Sequence, residues 1–139
     1  MDILLLGSGG REDALAWRLR QSSSCGRLIA APGNPGIGRW AECIAVDPCD
    51  PAAVVDLARR SGVEFVVIGP EAPLVAGVAD VLRAAEFAVF GPNAAPAQLE
   101  GSKGFTKDLC RANGIPIEDE TWASLEKVAG DLGLTALVG

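Results

Sequence analysis

At 139 residues, 49% of them apolar, the chain has material for one domain with a hydrophobic core and lacks the composition of a disordered segment. Eighteen acidic against twelve basic side chains give a formal net charge of −6, which argues against a nucleic-acid surface. Histidine is absent, so a Ser-His-Asp triad, a Cys-His pair and a histidine-ligated zinc are excluded within these residues.

No apolar run reaches the length of a membrane span, and the first residues lack a basic region followed by an apolar stretch and a cleavage site. The expectation is a cytoplasmic protein with neither a membrane nor a nucleic acid as partner. The cysteines are Cys25, Cys43, Cys49 and Cys110, with no C-x-x-C pair, and read as reduced structural thiols.

In chain order, an apolar strand over 3–6 breaks into Gly7-Ser8-Gly9-Gly10, and a helical pattern follows over 11–21. Such a turn allows close backbone approach and offers the N–H groups of a helix start to an anion. A second strand over 27–31 runs into Pro32-Gly33-Asn34-Pro35-Gly36, and a third spans 43–46. Asp50-Pro51 opens a helix over 51–61, and Gly62 closes it. A strand over 65–68 leads through Gly69-Pro70-Glu71-Ala72-Pro73 into a helix over 73–85. The last strand, 88–90, ends in Gly91-Pro92-Asn93. This βα rhythm predicts a three-layer α/β domain, with an open parallel sheet of about five strands and helices on both faces.

Beyond Gly91 the rhythm changes. A short helix is expected over 95–99, and a longer one over 102–113 with Ser102 as N-cap and Gly114 as C-cap. Ile115-Pro116 reads as a boundary. Residues 117–139 hold an acidic cluster (Glu118, Asp119, Glu120), an amphipathic stretch and an apolar end, and are too few for a domain of their own.

Ligands of such sheets bind outside the carboxyl ends of the strands, near the topological switch point. All four glycine- or proline-rich segments fall at those ends. The first is not a dinucleotide fingerprint. Glu12 stands where the third glycine of G-x-G-x-x-G belongs, and the second strand ends Ala30-Ala31-Pro32 with no carboxylate for a ribose. The Walker A pattern is also absent. Arg11 lies in the first helical turn, where a cation opposes the dipole by roughly 0.3–1 kcal/mol. Either a bound anion shares it with the turn's N–H groups, or it is solvated. Asn34 reads as a left-handed turn residue or a site residue, and Glu71 as a loop residue or an acceptor of sugar hydroxyls. Lys103 and Lys107 share one helix face, as a solvated pair or a nucleotide contact.

The segments GSGGREDALAW, APGNPGIG, VVIGPEAPLVAGVAD, FGPNAAPAQLEGSKGFTKDLC and NGIP occur in the order and spacing seen in phosphoribosylamine–glycine ligases. The chain resembles that family, of the ATP-grasp superfamily, from Met1 to about Pro116. The resemblance implies a Rossmann-like, pre-ATP-grasp N-terminal domain over 1–116, and a divergent tail over 117–139 in place of the ATP-grasp domain. The family joins glycine to 5-phosphoribosylamine in purine biosynthesis, with ATP and Mg2+ as cofactors and a glycyl phosphate intermediate.

Carried over, Gly9, Gly10 and Arg11 lie near the substrate phosphate. Asn34, Pro70 and Glu71 line the sugar pocket, and Lys103 reaches toward the ATP phosphates from a hinge. A phosphoribosyl ligand is the implied partner. No catalytic or metal-binding residue is assigned, no tight binding of ATP or Mg2+ is expected, and the chain alone is expected to be inactive. The alternative is a non-catalytic protein that kept the fold and self-associates, or binds a partner, through residues 117–139. Asp13 departs from the family's GGREHA, which has histidine there. A carboxylate facing the ligand weakens phosphate binding, whereas one pointing away along the helix only improves the helix start.

Overall fold

Leu4, Leu5 and Leu6 are wholly buried because their strand lies at the centre of the sheet. A parallel strand covered on both faces needs a continuous apolar run, and here that run is ILLLG. The computed structural model describes residues 1–114 and Lys127. The chain divides into two compact units, Met1–Lys103 and Gly104–Gly139. In the first, β1 (Ile3–Gly7), α1 (Gly10–Arg20), β2 (Leu28–Pro32), β3 (Glu42–Cys43), α2 (Pro51–Ser61) and β4 (Phe65–Ile68) follow in order. Then come α3 (Glu71–Val75), α4 (Val78–Ala84), β5 (Ala88–Phe90) and α5 (Ala94–Gly101), after which α6 (Lys103–Ala112) begins.

All five strands are parallel, in the order β3-β2-β1-β4-β5. The chain builds outward from β1 through β2 to β3, then crosses back to place β4 on the other side of β1. The carboxyl ends of β1 and β4 therefore form the switch point, with Leu6 level with Ile68.

Side-chain alternation divides the core into two layers. Leu4 and Leu6 pack with Val54 and Leu57 of α2, Leu74 of α3, Val78 and Leu82 of α4, and Ala97 of α5. Ile3 and Leu5 pack on the opposite face with Ala16 of α1, Ile37 and Val67. This is the three-layer α/β architecture expected from the sequence. α2 forms where its caps predict. The Asp50 carboxylate accepts the N–H groups of Ala52 and Ala53 at 3.0 and 3.1 Å, Pro51 opens the helix, and Gly62 ends it at φ +63°.

Four expectations are corrected. The helix expected over 73–85 starts at Glu71 and is two helices, because Gly77 turns the chain left-handed (φ +83°) between α3 and α4. The strand expected over 43–46 pairs only at Glu42–Cys43. The Ile44 N–H still donates to the Ala30 carbonyl of β2 at 2.9 Å, where the pairing ends, and Ile44 and Val46 pack against the core. A 3-10 turn, Ile37–Arg39, follows the second loop where no helix was expected, and it buries Ile37 completely. The short helix expected over 95–99 extends over Ala94–Gly101. Ser102 stands between α5 and α6, and Gly114 is left-handed just beyond α6.

Among the described residues no helix is long and apolar enough to cross a membrane. All four cysteines are free thiols, Cys25 buried and Cys43 exposed. The tail expected over 117–139 lies outside the described residues, Lys127 apart.

Candidate functional site at the strand-end rim

The β1–α1 turn is organised by a residue of its own helix. Glu12 is buried, only 4% exposed, and its Oε2 accepts the Gly9 N–H at 2.7 Å. This is the half of a capping box in which the third helical residue reaches back to the N-cap backbone. The Glu12 side chain fills the space beneath the turn. A Cβ at Gly7 (φ +123°) would lie 2.6 Å from its Cγ, and one at Gly69 only 2.3 Å from its Oε1. Gly7 ends β1 and Gly69 follows β4, so one carboxylate is wedged between the two strands of the switch point. Pro70, the N-cap of α3, lies 3.0 Å through its Cδ from the Cβ that Gly7 lacks.

Arg11, beside it in sequence, crosses the same gap on the outside. Its guanidinium donates to the Gly69 carbonyl at 3.1 Å and to Glu71 Oε1 at 3.0 Å, and its Nε lies 3.9 Å from Glu12 Oε1. Glu71, first by hydrogen bonding and then by its charge, raises the already high pKa of Arg11. Its own backbone amide, followed by Arg11, holds the Glu71 carboxyl below the usual carboxylate range. Gly10 stands clear, since a Cβ there would meet nothing within 4 Å. The Gly10 and Arg11 amides belong to the first turn, whose N–H groups have no partner within a helix.

Asn34 ties the second loop to the first. Its Nδ2 donates to the Ser8 carbonyl at 2.7 Å and its Oδ1 accepts the Ile37 N–H at 2.9 Å. Asp13 lies on this side of the turn, with Oδ2 3.4 Å from the Arg39 guanidinium. Its Oδ1 is buried with no hydrogen-bond partner. Because β2 and β4 flank β1 on opposite sides, Asp13 leans toward the second loop while Arg11 leans toward the third.

The structure thus brings Gly9, Gly10, Arg11, Pro70 and Glu71 together at the switch point, with Asn34 against Ser8. Lys103 is exposed at the start of α6. Among the described residues it shares no hydrogen bond or ion pair with those six. The fourth glycine-proline loop is held by α4 instead. Arg83 donates to the Gly91 carbonyl and to Asn93 Oδ1, and Asp80 accepts the Ala94 N–H at 2.8 Å.

Two residues of the rim escape a reading by sequence. In the sequence Glu12 stands where a third glycine would complete the fingerprint, and nothing local marks its burial. Glu100 shares with Glu71 a cavity of about 730 Å³ between α3 and α5. The approach of those helices rests on Gly101, where a Cβ would sit 2.6 Å from Val75 Cγ2. Nothing local in the sequence marks Glu100.

Chemically, the rim offers one guanidinium and two first-turn amides to an anion, with carboxylates alongside for hydroxyl or amino groups. Among the described residues no three metal-ligating side chains converge, and Glu12 takes both the first amide and the volume beneath the turn.

A doubly wound parallel sheet, with a glycine turn and an arginine at its switch point, defines a Rossmann-like domain without the dinucleotide fingerprint. The chain belongs to the family of the phosphoribosylglycinamide synthetase N domain, which matches residues 1–100. It is 61% identical over 116 residues to the phosphoribosylamine–glycine ligase of Agrobacterium fabrum, covering 84% of this chain and 27% of that protein. The corresponding ligase of Rhizobium meliloti is 60% identical over the same shares. The chain therefore spans about a quarter of the length of these relatives. The crystal structure of phosphoribosylamine–glycine ligase from Thermotoga maritima matches with a TM-score of 0.58 at 28% identity, over 83% of this chain and 25% of that one. The biotin carboxylase domain of a thermophilic 2-oxoglutarate carboxylase matches with a TM-score of 0.60 over 83% of this chain and 28% of that one. At 20% identity, that likeness is of fold alone.

Proposed function

We propose that this chain is the part of a phosphoribosylamine–glycine ligase that receives the phosphoribosyl substrate, at the rim between β1 and β4. The observation that carries the reading is Arg11, anchored on the Gly69 carbonyl and Glu71 beside the open space over Gly10. In this reading the Arg11 guanidinium and the Gly10 and Arg11 amides take the phosphate. Glu71 takes ribosyl hydroxyls, Pro70 fixes the direction of the third loop, and Asn34 holds the second loop against the turn. Lys103 serves ATP in the whole ligase, where ATP and Mg2+ drive the joining of glycine. This chain's share of that reaction is to hold and orient the sugar phosphate.

Calorimetric titration with glycinamide ribonucleotide tests the reading. Saturable binding is expected for the wild type, weakened at least tenfold in Arg11→Ala. Binding unchanged in Arg11→Ala, or no saturable binding, would overturn it. Asp13→His serves as a control on the position where the family has histidine. Since Asp13 leans toward Arg39 rather than Arg11, the substitution is expected to change affinity by less than Arg11→Ala does.

A further inference from the structure

We infer that Glu12 is the residue that sets the specificity of this rim: it closes the turn to a pyrophosphate and positions Arg11 for a single phosphate group. The part concerning the ligand rests on the proposed function, whereas the packing around Glu12 does not.

Glu12 is the one polar or charged residue that is buried among the described residues. A carboxylate taken out of water is retained only where its surroundings satisfy it. Here the Gly9 N–H bonds Oε2 at 2.7 Å, and Arg11 Nε lies 3.9 Å from Oε1. Glycines from both strand ends make the room. At Gly7, Gly9 and Gly69 a Cβ would come within 2.6, 2.8 and 2.3 Å of the Glu12 side chain.

In a dinucleotide-binding turn, equivalent glycines let the backbone approach a pyrophosphate, and a third glycine lets the helix pack on its strand. The same backbone economy serves a different occupant here. The anion between β1 and β4 belongs to the protein, so the Gly9 amide is already spent. A second phosphate group would meet a fixed negative charge in the volume it needs. What remains open lies outside, over Gly10, with the Arg11 guanidinium beside it. Glu12 also holds the near end of the Arg11 side chain, while Gly69 and Glu71 hold its far end. The rim thus has room and charge for one phosphate group on a sugar.

The test uses the full chain and two probes, ribose 5-phosphate and ADP-ribose, titrated against the wild type, Glu12→Gln and Glu12→Gly. Glu12→Gln keeps the volume and the acceptor for the Gly9 N–H but loses the charge, and is expected to shift the ratio of the two affinities toward ADP-ribose by less than Glu12→Gly does. Glu12→Gly completes G-x-G-x-x-G and is expected to shift that ratio toward ADP-ribose at least tenfold. Loss of stability alone lowers both affinities together and leaves the ratio unmoved, so a ratio unchanged in folded Glu12→Gly overturns the inference. Glu12→Ala takes its place if Glu12→Gly does not fold. If the wild type binds neither probe, the proposed function falls, and Glu12 is judged by packing. Gly69→Ala is expected to lower Tm sharply in the wild type and much less in a Glu12→Ala background. Equal falls in the two backgrounds would show that Glu12 does not fill the gap.

Discussion

Arg11 occupies a place that its helix disfavours, and the ion pair with Glu71 explains why it is tolerated. Glu71 is held below its ordinary carboxylate value of 4.5 by its own backbone amide and then by Arg11. A carboxylate lowered in this way stabilises the fold fully above its unfolded value. That contribution is lost as pH falls through the lower, folded value. The difference in Tm between the wild type and Glu71→Gln is therefore expected to be constant near neutral pH and to shrink below about pH 4.5. Thermal melts across that range check it, and a difference that grows on acidification would contradict the pairing. The whole effect is expected to be small, because both partners are partly exposed. Arg11 and Glu71 were each legible as site candidates from their loops, but their partnership was not. Sixty residues separate them, and only the β1–β4 pairing brings them to 3.0 Å.

At the scale of elements, local chemistry predicted what local contacts decide. α2 and β4 begin and end where proline, capping residues and an apolar run place them. The helix expected over 73–85 failed at Gly77, since a single glycine inside a helical pattern is compatible with either a helix or a break. Its left-handed φ predicts that Gly77→Ala destabilises the domain by roughly 1–2 kcal/mol, although space for a methyl group is free. Glu86 adopts φ +68° with a side chain, so Glu86→Gly is expected to have the opposite sign, stabilising by up to about 1 kcal/mol. Denaturant melts of the two variants check the pair, and a shift in the same direction for both would count against the backbone argument. The third strand shows the converse error. Ile44 and Val46 alternate as strand residues do, yet they serve the core from an irregular segment at the sheet edge.

For the whole molecule, stability rests on β1, whose side chains feed both core layers. Leu5 is fully buried, so Leu5→Ala is expected to cost about 2–5 kcal/mol, measured as a fall in the midpoint of urea unfolding. An exposed position on α1 such as Arg18, replaced by alanine, should stay within about 0.5 kcal/mol of the wild type.

The sequence by itself determined the three-layer class, most strand positions, the α2 caps and the family. Apolar periodicity, capping and motif spacing are properties of residues near one another in the chain. Tertiary structure alone decided that β4 lies beside β1, that Arg11 meets Glu71 across the switch point, that Glu100 joins Glu71 in one cavity, and that Glu12 is buried. Each of these depends on which strand a crossover returns to and which loops then share an edge of the sheet. Glycines in separate loops open a gap only when their strands are adjacent, and a single side chain can then fill it.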